Sequence, residues 1–191
     1  MKNQSMLILG VAALCSLAAI TLFAELSPAE DKAADPRVAR GAYLVNIMAC
    51  NDCHTPWKMG PAGPEPDMTR MLSGHPQDLV MPPAPDPGQG PWVWTGAGTN
   101  TAFAGPWGVS FTANLTPDPE TGLGKWTEET FIQAIRTGRH EGQGRPILPP
   151  MPYPQYKNAT DEDLSAVFAF LQSLPPIKNR VPLPVDPVEG Q

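Results

Sequence analysis

Cys50-Asn51-Asp52-Cys53-His54 is the stretch that decides how this chain is read. Two thiols one helical turn apart can add to the two vinyl groups of a haem, and the adjoining imidazole can then ligate the iron. Other cysteine chemistry explains less of the pentapeptide. A thioredoxin-like pair has no use for the histidine and needs a βαβ setting that is not visible. A structural zinc site needs a fourth ligand, and the only other histidines, His75 and His140, show no paired ligand spacing. The expectation is therefore one haem c, with Cys50 and Cys53 as thioether positions and His54 as an axial ligand of the iron.

Three segments around this motif have helical period and end signals. The first is capped by Asp35, has Pro36 at its first helical position and runs to about Ala49, so that it delivers the cysteines. Gly41 in its middle costs about 1 kcal/mol against Ala, which points to close packing against another helix. The second has Thr127 as cap, Glu128 and Glu129 in the first turn and Gly138 just past the end, with Trp126 and Phe131 at the spacing of a hydrophobic staple. The third starts at Thr160, carries the apolar stripe Leu164, Val167, Phe168 and Leu171, and is stopped by Pro175 and Pro176. Everything else reads as connection. The stretch from Pro56 to about Pro106 holds much of the chain's 25 prolines and 17 glycines. A structureless loop of that length is unusual in a compact domain, so it either has a function or wraps the surface.

A second iron ligand is best supplied by Pro149-Pro150-Met151-Pro152, because prolines stiffen a loop and can present the thioether of Met151 without a hydrogen-bonded element around it. Met81, His75 and His140 are the alternatives, or the position has no protein ligand. No Ser/His/acid or paired-carboxylate constellation stands out, so the chain reads as an electron carrier and not as a catalyst.

The run from Met6 to Phe23 contains no charge and is long enough to span a bilayer, yet it also suits an export signal. A cut after Ala24 would place Leu22 badly, and one after Ala29 would place Pro28 between the small residues Ser27 and Ala29. Cys15 within the run follows Leu14 and reads as apolar filler. Either way the remainder is expected on the periplasmic side, soluble after cleavage or anchored in the inner membrane through residues 6–23. With 13 basic against 19 acidic side chains the formal net charge is -6, which argues against nucleic acid as a partner. A basic docking face on a redox protein would suit it.

A helix that ends in CxxCH, a later Met in a proline-flanked loop and a closing amphipathic helix together resemble the class I cytochrome c family. That resemblance implies an all-α fold of about three core helices around one haem, with the long Pro/Gly-rich insert and the N-terminal apolar helix as additions. It also implies a crossing of the first and last helices at a small residue and an aromatic, here Gly41 or Tyr43 against Phe168 or its neighbours. Asn114-Leu115-Thr116-Pro117-Asp118, Thr121-Gly122-Leu123-Gly124-Lys125-Trp126, Pro150-Met151-Pro152-Tyr153 and Leu174-Pro175-Pro176 are similar, more narrowly, to haem domains of cytochrome subunits that serve membrane-bound alcohol and sugar-acid dehydrogenases. The likeness covers Pro36 to Pro56 and Gly105 to Pro182. Those subunits usually carry several such domains, whereas this chain has one CxxCH. The expected layout is a signal or anchor over 1–29, a cytochrome c domain over 30–182 with its insert at about 57–105, and a tail over 183–191. The expected partners are a redox donor and acceptor, among them a membrane dehydrogenase, an oxidase or a reaction centre. A haem subunit fixed in a respiratory or photosynthetic complex is an alternative role, and an open-site haem enzyme or gas sensor is a third.

Overall fold

The computed structural model describes residues 35–84 and 91–187. The apolar run Met6 to Phe23 therefore lies outside the described residues, and among those described no helix is long and apolar enough to cross a membrane.

Helix α1 (Pro36–Ile47) begins where the cap chemistry places it: the Asp35 carboxylate accepts the Arg37 backbone N–H at 2.9 Å, and Pro36 occupies the first turn. Ala49, at φ 56°, then turns the chain into the short helix α2 (Cys50–His54). A non-glycine residue in this left-handed region costs about 1–2 kcal/mol. Helix α3 (Glu128–Thr137) is capped by the Thr127 hydroxyl, which accepts from the Thr130 N–H at 3.1 Å, and closes on Gly138 at φ 66°. The one-turn helix α4 (Tyr153–Tyr156) follows the Met151 loop, and α5 (Asp161–Ser173) is capped by Thr160, which accepts from Asp163 N–H at 3.1 Å.

Helices α1, α3 and α5 enclose the core. Leu44 and Val45 of α1, Phe131 and Ile135 of α3, and Leu164, Val167, Phe168 and Leu171 of α5 are buried together with Leu72 and Leu123. The whole expected stripe of α5 is inside. The helix crossing is made at Gly41, where an added Cβ would overlap the Ala166 carbonyl oxygen and lie 2.7 Å from the Phe170 Cβ. Tyr43 is 55% exposed and takes no part in the core. Phe168 turns instead toward Phe131, with ring centroids 5.5 Å apart.

The expectation of an all-α chain fails in the insert and just beyond it. Strands β1 (Trp57–Gly60) and β2 (Gly63–Pro66) form an antiparallel hairpin with Gly60 opposite Gly63. Strands β3 (Thr95–Gly96), β4 (Ala102–Gly105) and β5 (Gly108–Phe111) form a second antiparallel sheet in the order β3-β4-β5. Strands of two to four residues are too short to show alternation in sequence, and Pro64 and Pro66 disguise β2, which tolerates them as half of a two-stranded ribbon. The chain beyond α5 joins this sheet: Val185, within the segment read as a tail, exchanges both backbone hydrogen bonds with Val109 at 2.8 and 2.9 Å.

A buried polar knot ties the insert to the helices. The Asn179 side chain, 1% exposed, donates to the carbonyls of Ser73 (2.6 Å) and His75 (2.9 Å) and accepts from the Gln77 N–H (2.9 Å). Asn114 donates to the Ile177 carbonyl at 2.8 Å and accepts from both the backbone and hydroxyl of Thr116. The Asn114 to Asp118 turn and the chain after Pro176 are thus one structural unit, although they lie far apart in sequence.

Candidate functional site

Cys50 and Cys53 are unpaired thiols on α2. Burial pushes the Cys50 thiol up to about 12 and raises that of Cys53 as well, so both are protonated and neutral at pH 7. Such sulfurs sit comfortably against an apolar group, and Cys50 already packs on the core.

His54, one residue on, is buried, and its Nδ1 lies 2.8 Å from the Ala113 carbonyl oxygen. A carbonyl only accepts, so Nδ1 carries the proton and the lone pair is left on Nε2. That is the tautomer that ligates a metal through Nε2, with the ring orientation fixed from behind. Burial also holds the imidazole below its ordinary pKa, which favours the neutral, ligating form.

The insert braces this helix. Short helices leave their last carbonyls without intrahelical partners. Here the Asp52 carbonyl accepts from Asn100 Nδ2 at 2.7 Å and from Trp57 Nε1 at 3.1 Å, and the His54 carbonyl accepts the Gly74 N–H at 2.7 Å. The Thr55 hydroxyl donates to Asn51 Oδ1 and accepts from the Leu72 N–H, both at 2.8 Å.

Met151 is half-buried in its proline loop, and two contacts tie that loop to the same scaffold. The Ser110 hydroxyl on β5 donates to the Pro149 carbonyl at 2.7 Å. Three residues further along the same segment, Ala113 holds His54. From the other side, the Tyr156 hydroxyl donates to the Met48 carbonyl just before α2. The segments carrying His54 and Met151 are therefore held by one stretch, Ser110 to Ala113, and one tyrosine. None of Ala113, Ser110 and Tyr156 stood out in the sequence. Ala113 acts through its backbone, which leaves no side-chain signal, and Ser110 and Tyr156 are ordinary residues until the fold supplies their partners.

The remaining ligand alternatives are placed differently. His75 is fully buried, with Nε2 donating to the Leu79 carbonyl at 3.0 Å and Nδ1 accepting from the Thr101 hydroxyl at 2.9 Å. Both nitrogens are engaged, which leaves no lone pair for iron. His140 is exposed and meets the edge of Trp126, with centroids 5.2 Å apart. Met81 lines a groove with Pro82, Ala84, Thr95 and Phe103. Among the described residues no cluster of His, Cys, Asp and Glu forms another metal site.

The profile of the cytochrome c family matches residues 38–175. The chain belongs to the cytochrome c family. A segment of 178 residues, 93% of this cytochrome, is 28% identical to the gluconate 2-dehydrogenase cytochrome c subunit of Pantoea cypripedii and covers 30% of that protein. A segment of 65 residues, 34% of the chain, is 42% identical to the cytochrome c subunit of the quinone alcohol dehydrogenase of Gluconobacter oxydans, covering 13% of it. Over 77 residues, 40% of the chain, identity to a nicotinate dehydrogenase subunit of Pseudomonas putida is 39%, covering 6% of that protein. The cytochrome thus spans less than a third of each of these relatives. Family membership implies haem c, and the donor set fits it: two neutral thiols and a buried imidazole whose free nitrogen is Nε2.

The Ser110 contact carries a prediction. Ser110→Ala should cost about 1 kcal/mol of loop stability, the net worth of one hydrogen bond. Where Met151 serves as ligand, the low-spin spectrum of the oxidised protein should give way at a lower temperature, while the far-ultraviolet melt moves less.

Proposed function

We propose that this cytochrome carries one haem c, attached at Cys50 and Cys53 and ligated by His54 and Met151, and passes single electrons between redox proteins outside the cytoplasm. The observation that carries this reading is the commitment of His54 Nδ1 to the Ala113 carbonyl beside two free thiols. One haem follows from one CxxCH in the sequence. A His/Met ligand pair favours the reduced state relative to many other ligations. Cys50 and Cys53 fix the position of the group, and Ala113 fixes the ring plane of His54. The scaffold of β5 and Tyr156 keeps the Met151 loop from drifting, so little has to rearrange when an electron arrives.

Two of the named relatives are cytochrome c subunits of dehydrogenases, which supports a dehydrogenase as electron donor, with an oxidase or other acceptor downstream. A periplasmic position, with residues 6–23 either removed or retained as an anchor, agrees with this role.

Visible spectra of the purified protein test the reading. An electron carrier should be low-spin in both oxidation states and ignore carbon monoxide when reduced. Met151→Ala should yield a high-spin reduced form that binds the gas, with a midpoint potential below that of the parent. A parent protein that binds carbon monoxide readily would make this an open-site haem protein and remove Met151 from the ligand set.

A further inference from the structure

Apolar side chains are concentrated on the outside of the insert. Trp92 is 76% exposed, Val93 57%, Trp94 48% and Val80 88%. Val80 and Trp94 adjoin in the chain the residues Met81 and Thr95 that line one groove. Met81 to Ala84 run alongside β3 and β4, forming a groove with Thr95 to Ala97 and Phe103, and Trp94 meets the edge of Phe103 with centroids 5.9 Å apart. The groove holds about 120 Å³, well short of the ~300 Å³ that a small-molecule site needs. This is a surface to be covered and not a pocket to be filled. No charged residue occurs from Leu79 to Ala84 or from Pro91 to Thr101, in a chain whose net charge is -6.

We propose that this Trp92-Val93-Trp94 face rests on the interfacial region of a phospholipid bilayer. Charge complementarity gives protein docking sites their register and partner choice, and the stretches Leu79 to Ala84 and Pro91 to Thr101 carry no charge, the nearest in sequence being Asp78 and Asp86. Tryptophan is the residue that favours the headgroup level of a membrane, its indole half apolar and half polar. The sequence supplies the means of approach. Met6 to Phe23 is uncharged and of bilayer-spanning length. Residues 24–34 reach at most about 40 Å when fully extended. At the resulting effective concentration a weak apolar contact is sufficient. The inference does not depend on how the iron is ligated.

The test uses the haem-loaded full chain reconstituted in phosphatidylcholine vesicles. Cys15→Ser removes the extra thiol, and an environment-sensitive fluorophore is attached at Val93→Cys or, as control, at the exposed Lys178→Cys. Emission is compared between vesicles with and without lipids brominated near the headgroups, so that quenching by the haem cancels. The label at position 93 should lose about half its emission to bromine and the label at 178 almost none, as expected for an interfacial against an aqueous site. Adding Trp92→Ser and Trp94→Ser should return position 93 to the control value, with the haem spectrum unchanged. Equal behaviour of the two labels overturns the proposal, as does quenching that survives loss of both tryptophans. A blue shift at position 93 that grows with protein concentration in lipid-free detergent would assign the face to a second copy and also overturn it. So would isolation of the mature chain with an N-terminus beyond Phe23, which lacks the tether.

Discussion

Gly41→Ala should destabilise the cytochrome by about 2–3 kcal/mol, and Gly41→Val by more, read as a shift of the guanidinium midpoint at constant slope. Helix propensity alone gives the opposite sign, since alanine at a helix interior is worth about 1 kcal/mol over glycine. The structure decides between the two. An added Cβ would overlap the Ala166 carbonyl oxygen and lie 2.7 Å from its carbon, and this backbone of α5 cannot swing aside. Relief requires α1 and α5 to separate, and that loosens Leu44 and Val45 against Leu164 and Val167. The overpacking cost exceeds the propensity gain. A stabilised Gly41→Ala protein would show that the two helices can part at little cost.

Asn179→Ala is the second substitution expected to have a large effect, about 3 kcal/mol. The side chain is 1% exposed, and its removal strands two carbonyls, Ser73 and His75, and the Gln77 N–H. Each buried polar group left without a partner costs about 1–3 kcal/mol, and water entering the space of the lost amide recovers part of the sum. The consequence should extend to the site. Residues 73–77 include Gly74, whose N–H holds the His54 carbonyl, so the variant should exchange the amides of 73–77 faster than the parent. Asn179→Asp is an informative companion. It keeps the acceptor for Gln77 but removes both donated bonds and buries a carboxylate beside two carbonyls, so it should be no better than alanine. An Asn179→Ala protein within a few tenths of a kcal/mol of the parent would show that the knot is solvated in solution.

The candidate motif was legible because its spacing is local: Cys50, Cys53 and His54 fall on the one short helix α2, at the spacing that haem attachment calls for. The three core helices were equally plain. Asp35, Thr127 and Thr160 mark helix starts through side-chain hydrogen bonds made within three residues, and Gly138 marks an end through its own φ. Such signals are local, and local signals survive in sequence.

The insert was not legible. Its strands are short, its prolines hide the ribbon, and its longest-range bond to α2, from Asn100 to Asp52, joins residues far apart in the chain. The sequence by itself determined the N-terminal caps of α1, α3 and α5 and the buried stripe of α5, which depend on neighbours within a turn or two, whereas α1 stops at Ile47 and the left-handed Ala49 puts the cysteines on a separate helix. Only the tertiary structure decided that Gly41 and not Tyr43 makes the helix crossing, that Ala113 selects the tautomer of His54, that Ser110 ties the Met151 loop to β5, and that Tyr156 bonds the Met48 carbonyl just before α2. The physical reason is the range of the forces involved. Caps and periodicity are settled by adjacent backbone groups, whereas a hydrogen bond from Asn179 to Ser73 or from Tyr156 to Met48 exists only after the chain has paid the entropy of bringing distant segments together.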